Sequence, residues 1–343
     1  MLCRVADSLF WMSRYIERAE NTVRLVDVNL QILLETDGAN QETIGAFWQP
    51  IIQSTGDVTL FQKESETFES KAVMEFLTFS RDNPSSVINC IAAARENARM
   101  IRDQISEEMW EIINRLYLML KKTDPRKIWK SGPYDFYKEI REYSSLFQGV
   151  TDSTYPYQIG YEFIMTGKFI ERADKTGRIL KAKLLMDEYW KKLGDSNPLE
   201  AAQWVSVLRA CSAEQAYQRT FRHDLNVKDV IGFLLLSREF PRSILFCLNN
   251  LQKHIHAISD CPITHYSNEA ERHCGMLISR LNYCKIEEIL KKGIQDFVED
   301  IHDSLDQIAI DLNDCYMFFP IVDPADEKDE EALGTVEMDQ SQS

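Results

Sequence analysis

The amino-acid sequence predicts an all-α fold: a helical bundle made of two pseudo-symmetric tandem repeats with long central helices. The first observation is composition, since 13 glycines and 10 prolines among 343 residues leave long stretches without a helix-breaking residue. The second is periodicity, because apolar residues recur at helical spacing and no segment alternates with the period of two typical of strands. The third is a ten-residue motif that occurs twice.

This motif and a second segment repeat at a nearly constant offset. Tyr15 to Arg24 (YIERAENTVR) matches Phe169 to Arg178 (FIERADKTGR) at six of ten positions. Phe76 to Ile91 matches Phe233 to Leu248 at seven of sixteen positions, where chance would give about one. The matches have the same order in both halves, which indicates tandem duplication of one unit.

The repeat divides the chain into three parts. We expect a first helical repeat at 1–155 and a second at 156–320 that packs on the first as one compact unit. Residues 321–343 hold eight Asp or Glu against one Lys and are predicted to form a disordered acidic tail.

Helices are predicted along the whole body of the chain. The first runs from about Leu2 to Glu35 and ends near Asp37-Gly38, where glycine can adopt a left-handed cap. Asn83-Pro84 and Asn197-Pro198 are each interpreted as an N-cap followed by proline in the first turn of a helix. The other helices are expected at about 42–55, 69–80, 84–121 with a break near Ser106, 133–148, 158–193, 198–221, 227–237, 241–258, 267–291 and 294–318.

Charge and hydropathy exclude several classes of protein. The formal net charge of −15 argues against nucleic acid as a primary partner, because such binding rests on a basic surface. No stretch approaches the roughly 20 apolar residues of a membrane span. Arg4 and Asp7 stand where a signal peptide would have its apolar core. We therefore expect a cytoplasmic protein without a membrane partner.

Both motif-bearing helices carry a charged stripe within an otherwise apolar surface. The stripe of the first helix consists of Arg14, Glu17, Arg18, Asn21 and Arg24. The stripe of the second copy consists of Lys168, Glu171, Arg172, Lys175 and Arg178. Apolar residues precede and follow each stripe on the same face. The pattern predicts two helices that are buried on most sides and enclose a polar cluster.

Two interpretations of this cluster stand side by side. Buried arginine needs paired carboxylates, so the cluster would be an internal network in which Glu17 pairs with Arg172 and Glu171 with Arg18. In the other interpretation, Glu17 or Glu171 serves as a general acid or base beside a bound phosphate or carboxylate. The cations that would hold this anion between the halves are Arg14, Arg24, Lys168, Lys175 and Arg178.

No metal site, cofactor or catalytic residue is predicted from motifs. The eight cysteines form no C-x-x-C pair and are expected to be small buried hydrophobes. The motifs G-x-x-x-x-G-K-[ST], G-x-G-x-x-G and G-x-S-x-G are absent. One segment of 21 residues is rich in metal-capable side chains, but their spacing differs from that of the usual ligand pairs. They are His254, His256, Cys261, His265, His273 and Cys274.

The chain resembles the bacterial alpha-E family, a predicted all-helical domain of unknown function with a Glu-Arg motif. The resemblance covers about residues 1–320 and rests on LCRVADSLFWMSRYIERAENTVRLVDVNLQ, DNPSSVINCIAAARENARMIRDQISEEMW, FIERADKTGR and SREFPRS. The family motif corresponds to Glu17-Arg18 and to Glu171-Arg172. Genes of the family tend to accompany those for circularly permuted ATP-grasp ligases and transglutaminase-like peptidases, which implies an accessory role in making or processing amide bonds.

Two functions are therefore weighed. The leading one is an accessory or adaptor protein, non-catalytic on its own, of an ATP-grasp-linked system that forms or processes amide or peptide bonds. The alternative is an enzyme that acts on an anionic amino-acid or peptide derivative at the charged cluster between the repeats. The expected partners are a circularly permuted ATP-grasp ligase and a transglutaminase-like protein, and the helical faces left to cover are compatible with a homodimer.

Overall fold

The computed structural model describes residues 1–35, 41–193, 200–222 and 224–317. These residues form sixteen α-helices and one π-helical turn and contain no strand, which confirms the predicted all-α class. None of the described helices combines the length and the apolar content that crossing a membrane requires.

The helices fall into two series of eight. The first series is α1 (Cys3–Glu35), α2 (Gln41–Thr55), α3 (Val58–Glu64), α4 (Ser70–Phe79), α5 (Val87–Met100), α6 (Glu107–Lys122), α7 (Pro125–Ser131) and α8 (Tyr134–Thr154). The second is α9 (Ile159–Leu193), α10 (Glu200–Ala210), α11 (Glu214–Thr220), α12 (Val227–Leu236), α13 (Ile244–Ser259), α14 (Glu269–Tyr283), α15 (Ile286–Lys292) and α16 (Ile294–Leu312), which the π-helical turn Asn313–Met317 follows.

The two long helices, α1 and α9, pack against each other at the centre of the described fold. The helices α5, α8 and α10 cover α1, whereas α2, α13 and α16 cover α9. Buried apolar side chains form one continuous core that includes Trp48 of α2 and Trp204 of α10. Both α1 and α9 are apolar on most sides, and the neighbouring helices bury these sides.

Two glycines of α9 lie in close contact with neighbouring helices. A Cβ atom at Gly167 of α9 would lie 2.3 Å from the backbone oxygen of Phe10 in α1. A second glycine of α9, Gly177, faces the imidazole of His302 in α16, where a Cβ would lie 2.9 Å from two ring atoms. The first of these contacts involves backbone, which cannot move aside as a flexible side chain can.

The predicted helix start at Asn83-Pro84 was wrong. Helix α5 begins at Val87, because Ser86 provides the N-cap by accepting a hydrogen bond from the backbone N–H of Asn89. The Asn83 side chain instead closes the preceding turn by accepting from the backbone of Ser85. Three other predictions lie outside the described residues: the end of the first helix at Asp37-Gly38, the cap at Asn197-Pro198 and the tail at 321–343.

Several predicted helices are divided. The one expected at 198–221 is interrupted at Ser212, whose left-handed φ of 52° ends α10. The one expected at 267–291 is interrupted at Cys284 and Lys285, which are both extended. The predicted break near Ser106 is present, and Ser106 caps α6. The helices α3 and α7 have seven residues each and are too short for periodicity to predict.

The two series of helices have similar lengths and similar neighbours. The long helices α1 and α9 have 33 and 35 residues, and α4 and α12 have 10 each. Helix α5 packs on α1 as α13 packs on α9, and α10 packs on α1 as α2 packs on α9. The pseudo-symmetric duplication itself stays a prediction.

Candidate functional site

The ten residues of the predicted cluster all lie on the two packed helices α1 and α9. Glu17 and Glu171 are 1% and 0% exposed, and every other member is buried or half-buried. The charged stripes are therefore interior features rather than solvent-facing surfaces. We call them, with the partners described below, the ion-pair cluster.

The Glu-Arg motifs pair crosswise between the helices. Arg172 donates through Nε to Oε1 of Glu17 at 2.8 Å and through Nη2 to Oε2 at 2.9 Å. Arg18 forms the equivalent fork with Glu171, at 2.6 Å from Nε to Oε1 and 2.9 Å from Nη2 to Oε2. Both pairs expected for an internal network are thus present. Each pair is bidentate, with two parallel hydrogen bonds, which is the strongest form of Arg–carboxylate pairing.

Each motif glutamate also contacts further donors. Glu17 accepts from Nη1 of Arg242 at 3.2 Å and from Nε2 of Gln148 at 3.2 Å. Glu171 accepts from Nε of Arg14 at 3.0 Å and lies 3.6 Å from Nζ of Lys175. Both carboxylates are therefore surrounded by positive charge.

These surroundings keep both motif glutamates ionised. Burial acts to raise their pKa values, but the guanidinium groups outweigh it. Arg172 and Arg242 hold the pKa of Glu17 well below its usual range, and Arg18 and Arg14 lower that of Glu171 to about 2. A carboxylate with so low a pKa is a poor proton acceptor, which disfavours Glu17 and Glu171 as general bases.

Two further carboxylates, Glu20 and Asp174, were missed by sequence reasoning. Glu20 accepts from Nε of Arg24 at 2.8 Å, and Asp174 accepts from Nε of Arg178 at 2.8 Å. Burial raises their pKa values, but neighbouring cations, Arg242 for Glu20 and Lys175 for Asp174, lower them overall. The spacing of four residues to the following arginine was the sequence signal that could have revealed both.

Arg242 was also missed as a member of the cluster, although it lies in the segment SREFPRS. Its Nη2 donates to Glu20 at 2.6 Å and its Nη1 to Oδ1 of Asn21 at 2.9 Å, while its carbonyl accepts from Thr176 at 2.8 Å. Its side chain thus reaches α1 from the loop before α13. Nothing in the local sequence shows which way an arginine beside a proline will point.

The two ends of the cluster obtain their cation from different elements. In the sequence alignment of the halves, Arg242 corresponds to Ser85, and Asn21 corresponds to Lys175. Glu17 and Glu20 therefore pair with an arginine that belongs to a loop. Glu171 and Asp174 instead lie 3.6 and 3.5 Å from Lys175, which belongs to α9 itself. The two differences offset each other in charge, since Arg242 serves one end and Lys175 the other.

Positive charge exceeds negative charge across the cluster. The cations are Arg14, Arg18, Arg24, Lys168, Arg172, Lys175, Arg178 and Arg242. The carboxylates that they surround are Glu17, Glu20, Glu171 and Asp174, and Asp57 adds a fifth negative charge near Lys175 and Arg178. Among the described residues, Lys168 forms no ion pair, and its Nζ lies 5.5 Å from the centre of the Phe169 ring. Burial and then Arg172 lower the pKa of Lys168. The surplus is the feature that an anionic ligand would neutralise.

In the part of the chain that the structure describes, the thiols beside the cluster are poor nucleophiles, and the cavity of about 700 Å³ lies elsewhere. Cys90 and Cys247 lie close to the two Glu–Arg pairs, but burial raises the pKa of each thiol to about 12. A cavity of about 700 Å³ is lined by the C-terminal end of α1 and by Phe68 and Trp129, not by the cluster. The ion-pair cluster can fix the register of α1 against α9. Its motif glutamates are bound to arginine and do not line the cavity of about 700 Å³.

The metal-capable side chains of the second half have separate partners, with one exception. His254 bonds to Glu162 at 2.5 Å, His265 to Thr264 at 3.0 Å and His273 to Asp311 at 2.6 Å. Cys274 is buried. His256 and Cys261, however, meet Glu271, a residue that the sequence analysis did not consider. No ligand-pair spacing signals this group, so it is found only in the folded chain.

The site and fold define a class of helical protein in which two long central helices exchange buried Glu–Arg pairs. The family described as "Alpha-E: a predicted alpha-helical domain with a conserved ER motif" matches residues 1–317. The chain belongs to this family. Two of the ER dipeptides of the sequence, Glu17-Arg18 and Glu171-Arg172, supply the pairs that cross between α1 and α9, whereas the third, Glu271-Arg272, lies on α14.

Curated relatives of the chain are uncharacterised. It is 23% identical over 328 residues to a protein of Mycobacterium bovis and equally to one of Mycobacterium tuberculosis. Each alignment covers 89% of this chain and 36% of the relative, so the chain spans about a third of the length of the relatives it matches. No solved structure matches the chain significantly.

Proposed function

We propose that this protein is an accessory or adaptor component, non-catalytic on its own, of an ATP-grasp-linked system that forms or processes amide or peptide bonds. The observation that carries the non-catalytic part is the state of the motif glutamates. Both are buried, forked to arginine and held at a low pKa, so they serve as fixed anions between α1 and α9. This chemistry favours architecture over proton transfer.

The relatives support the accessory part of the proposal. Their matching segment makes up 36% of a longer chain, so the Alpha-E region is there joined to further polypeptide. A domain that other proteins carry beside additional segments is well suited to act with a partner. The partners proposed here are a circularly permuted ATP-grasp ligase and a transglutaminase-like protein. We propose them because genes of the family that the sequence resembles tend to accompany genes for these two kinds of protein.

Co-purification tests the partnership. The tagged full chain is expressed together with the permuted ATP-grasp ligase encoded in the same genome, and an ATP-grasp ligase of unpermuted domain order serves as the control. We expect the permuted ligase alone to co-elute, and light scattering to distinguish this complex from a homodimer of the chain. A chain that elutes without the ligase at micromolar concentrations of both would count against the proposal.

The alternative function, an enzyme acting on an anionic amino-acid or peptide derivative, is favoured by the cation surplus of the cluster. An anion bound near Lys168 would offset this surplus and stabilise the native state. We test it by thermal unfolding with phosphate, amino acids and short peptides at fixed ionic strength. Lys168→Met should abolish a specific rise in Tm, whereas Lys192→Met, at the end of α9, should preserve it. This pair of results would support a ligand site. No rise with any anion would leave the cluster as architecture.

We propose in addition that residues 1–155 and 156–320 are two copies of one ancestral unit packed as one compact body. The matching helix lengths and the exchange of partners between α1 and α9 support this division. The acidic segment 321–343 is proposed as an appended tail.

A further inference from the structure

Three side chains with different ligand chemistry converge where α13 passes into α14. His256 lies in the last turn of α13, Cys261 opens the following loop and Glu271 lies in the first turn of α14. A ring nitrogen, the thiol sulfur and a carboxylate oxygen of these residues all lie within 4.8 Å of one another. Asp260 makes this possible, because its left-handed φ of 56° turns the chain back towards His256.

Glu271 is a buried carboxylate without a permanent cation. It is 1% exposed, and among the described residues its one ion-pair partner is His256, 3.9 Å away. Its oxygens accept hydrogen bonds from Ser267 and Asn268, which favour the ionised carboxylate. An anion in this position gains strongly from a nearby positive charge.

Hydrogen bonds already orient the potential ligands. Ser267 donates to both oxygens of Glu271, and Nδ2 of Asn268 donates to Oε1 at 2.9 Å. The carbonyl of Cys261 lies 3.0 Å from Nδ1 of His256 and ties the ring to the loop. Such outer contacts fix the direction of ligand side chains in metal sites.

A cavity adjoins the group and connects it with solvent. It has a volume of about 290 Å³ and is lined by His256 and Glu271 together with residues such as His265, Tyr266 and Met276. Water or a small ligand in this cavity can therefore reach His256 and Glu271.

We propose that His256, Cys261 and Glu271 bind one divalent ion of the zinc class. Nitrogen, sulfur and oxygen donors suit zinc, and three protein ligands leave a fourth tetrahedral position for water from the cavity. This is the arrangement of zinc sites that bind or activate a small molecule, and it is separate from the ion-pair cluster. When the ion binds, the Cys261 thiol releases its proton to solvent and binds as thiolate.

Cobalt substitution tests the proposal on the full chain after treatment with a chelator. We expect one equivalent of Co²⁺ to produce a thiolate-to-cobalt charge-transfer band, which zinc then abolishes by displacement. The substitution Cys261→Ser should remove the band. Cys284→Ser, at a half-buried cysteine at the other end of α14, should leave it unchanged.

A second measurement covers the case in which a variant folds poorly. In the wild-type chain, zinc should slow the alkylation of Cys261 at least tenfold and leave that of Cys284 unaltered. The proposal is overturned if the wild type gives no charge-transfer band, if the band survives Cys261→Ser, or if zinc does not protect Cys261.

Discussion

At the scale of single residues, the centre of this protein depends on charges that water does not reach. Glu17 and Glu20 share Arg242, whose side chain crosses from the loop before α13 and bonds to both. A buried charge is tolerated only while its partners stay in place, so loss of one cation leaves an anion desolvated and incompletely paired. The cost of such a loss should greatly exceed that of removing an exposed arginine.

The substitution Arg242→Ala should therefore lower the free energy of unfolding by about 3–5 kcal/mol. Arg238→Ala is the matched control, because Arg238 lies in the same loop, is exposed and, among the described residues, bonds to Asn282 alone. The control should change stability by no more than about 0.5 kcal/mol. Urea unfolding of both variants measures the difference, and equal effects would show that the buried contacts of Arg242 carry little energy.

The lowered pKa of Glu171 predicts how this stability depends on pH. The pKa falls from an ordinary value of 4.5 to about 2 in the folded chain, so folding favours the ionised form. The contribution is complete above pH 4.5 and is lost as pH falls towards 2. The stability difference between wild type and Glu171→Gln should accordingly shrink over this interval. Denaturant titrations at several pH values would contradict this if the difference were constant.

A surface glutamate supplies the control for this experiment. Glu142 is exposed on α8 and lies 3.8 Å from Lys138. Exposed pairs of this kind contribute about 0–1 kcal/mol, so Glu142→Gln should alter stability little at any pH.

At the scale of helices, contact between α1 and α9 depends on the absence of a side chain at one position. Gly167 lies against the backbone of Phe10, and the crosswise pairs begin one turn further along α9. The arginines of each helix reach the glutamates of the other along this contact. Glycine in mid-helix costs stability, which here is offset by the packing it permits.

Gly167→Ala should therefore destabilise the protein by about 1–3 kcal/mol, because its Cβ would meet a backbone carbonyl that cannot rotate away. Gly149→Ala in α8 is the matched control, since a Cβ there has nothing within 4 Å. It should raise stability by roughly 0.5–1 kcal/mol through helix propensity. Thermal unfolding of the two variants should give shifts of opposite sign; shifts of the same sign would contradict the role assigned to Gly167.

The elements show why some features were predictable and others were not. Periodicity revealed the long helices, and the ER dipeptide that both of them carry specified the partners Glu17–Arg172 and Glu171–Arg18, because helices with the same motif can pair crosswise when they face each other. Arg242 was not predictable, since its partners lie more than two hundred residues away in the sequence. The start of α5 was misjudged because Asn-Pro and Ser both suit a helix start, and only the folded turn distinguishes them.

At the scale of the whole molecule, the two series of helices are not independent bodies. The apolar core is continuous, and the central ion pairs join residues on opposite sides of the 155–158 linker. Neither long helix would have its charged stripe neutralised without the other. Separation of the halves would expose apolar surface and desolvated charges together, so both halves should unfold in one step.

Native-state hydrogen exchange measures this cooperativity. We expect the slowest amides of α5 and of α13, the helices that cover α1 and α9, to open with the same free energy, equal to that of global unfolding. The short helix α7, none of whose residues is buried, should open far more easily and serves as the internal control. Protection of α13 that outlasts that of α5 in denaturant would show that the halves unfold separately.

The unequal supply of cations to the two ends of the cluster has an evolutionary consequence. Position 21 carries Asn while position 242 carries Arg, and position 175 carries Lys while position 85 carries Ser. The effect of a mutation at one member of each pair should therefore depend on the other, which is epistasis between distant sites. A lineage that exchanges Arg242 for a neutral residue would tolerate the loss once a lysine has arisen at position 21, and the two halves can diverge by such ordered steps while their buried charges stay matched.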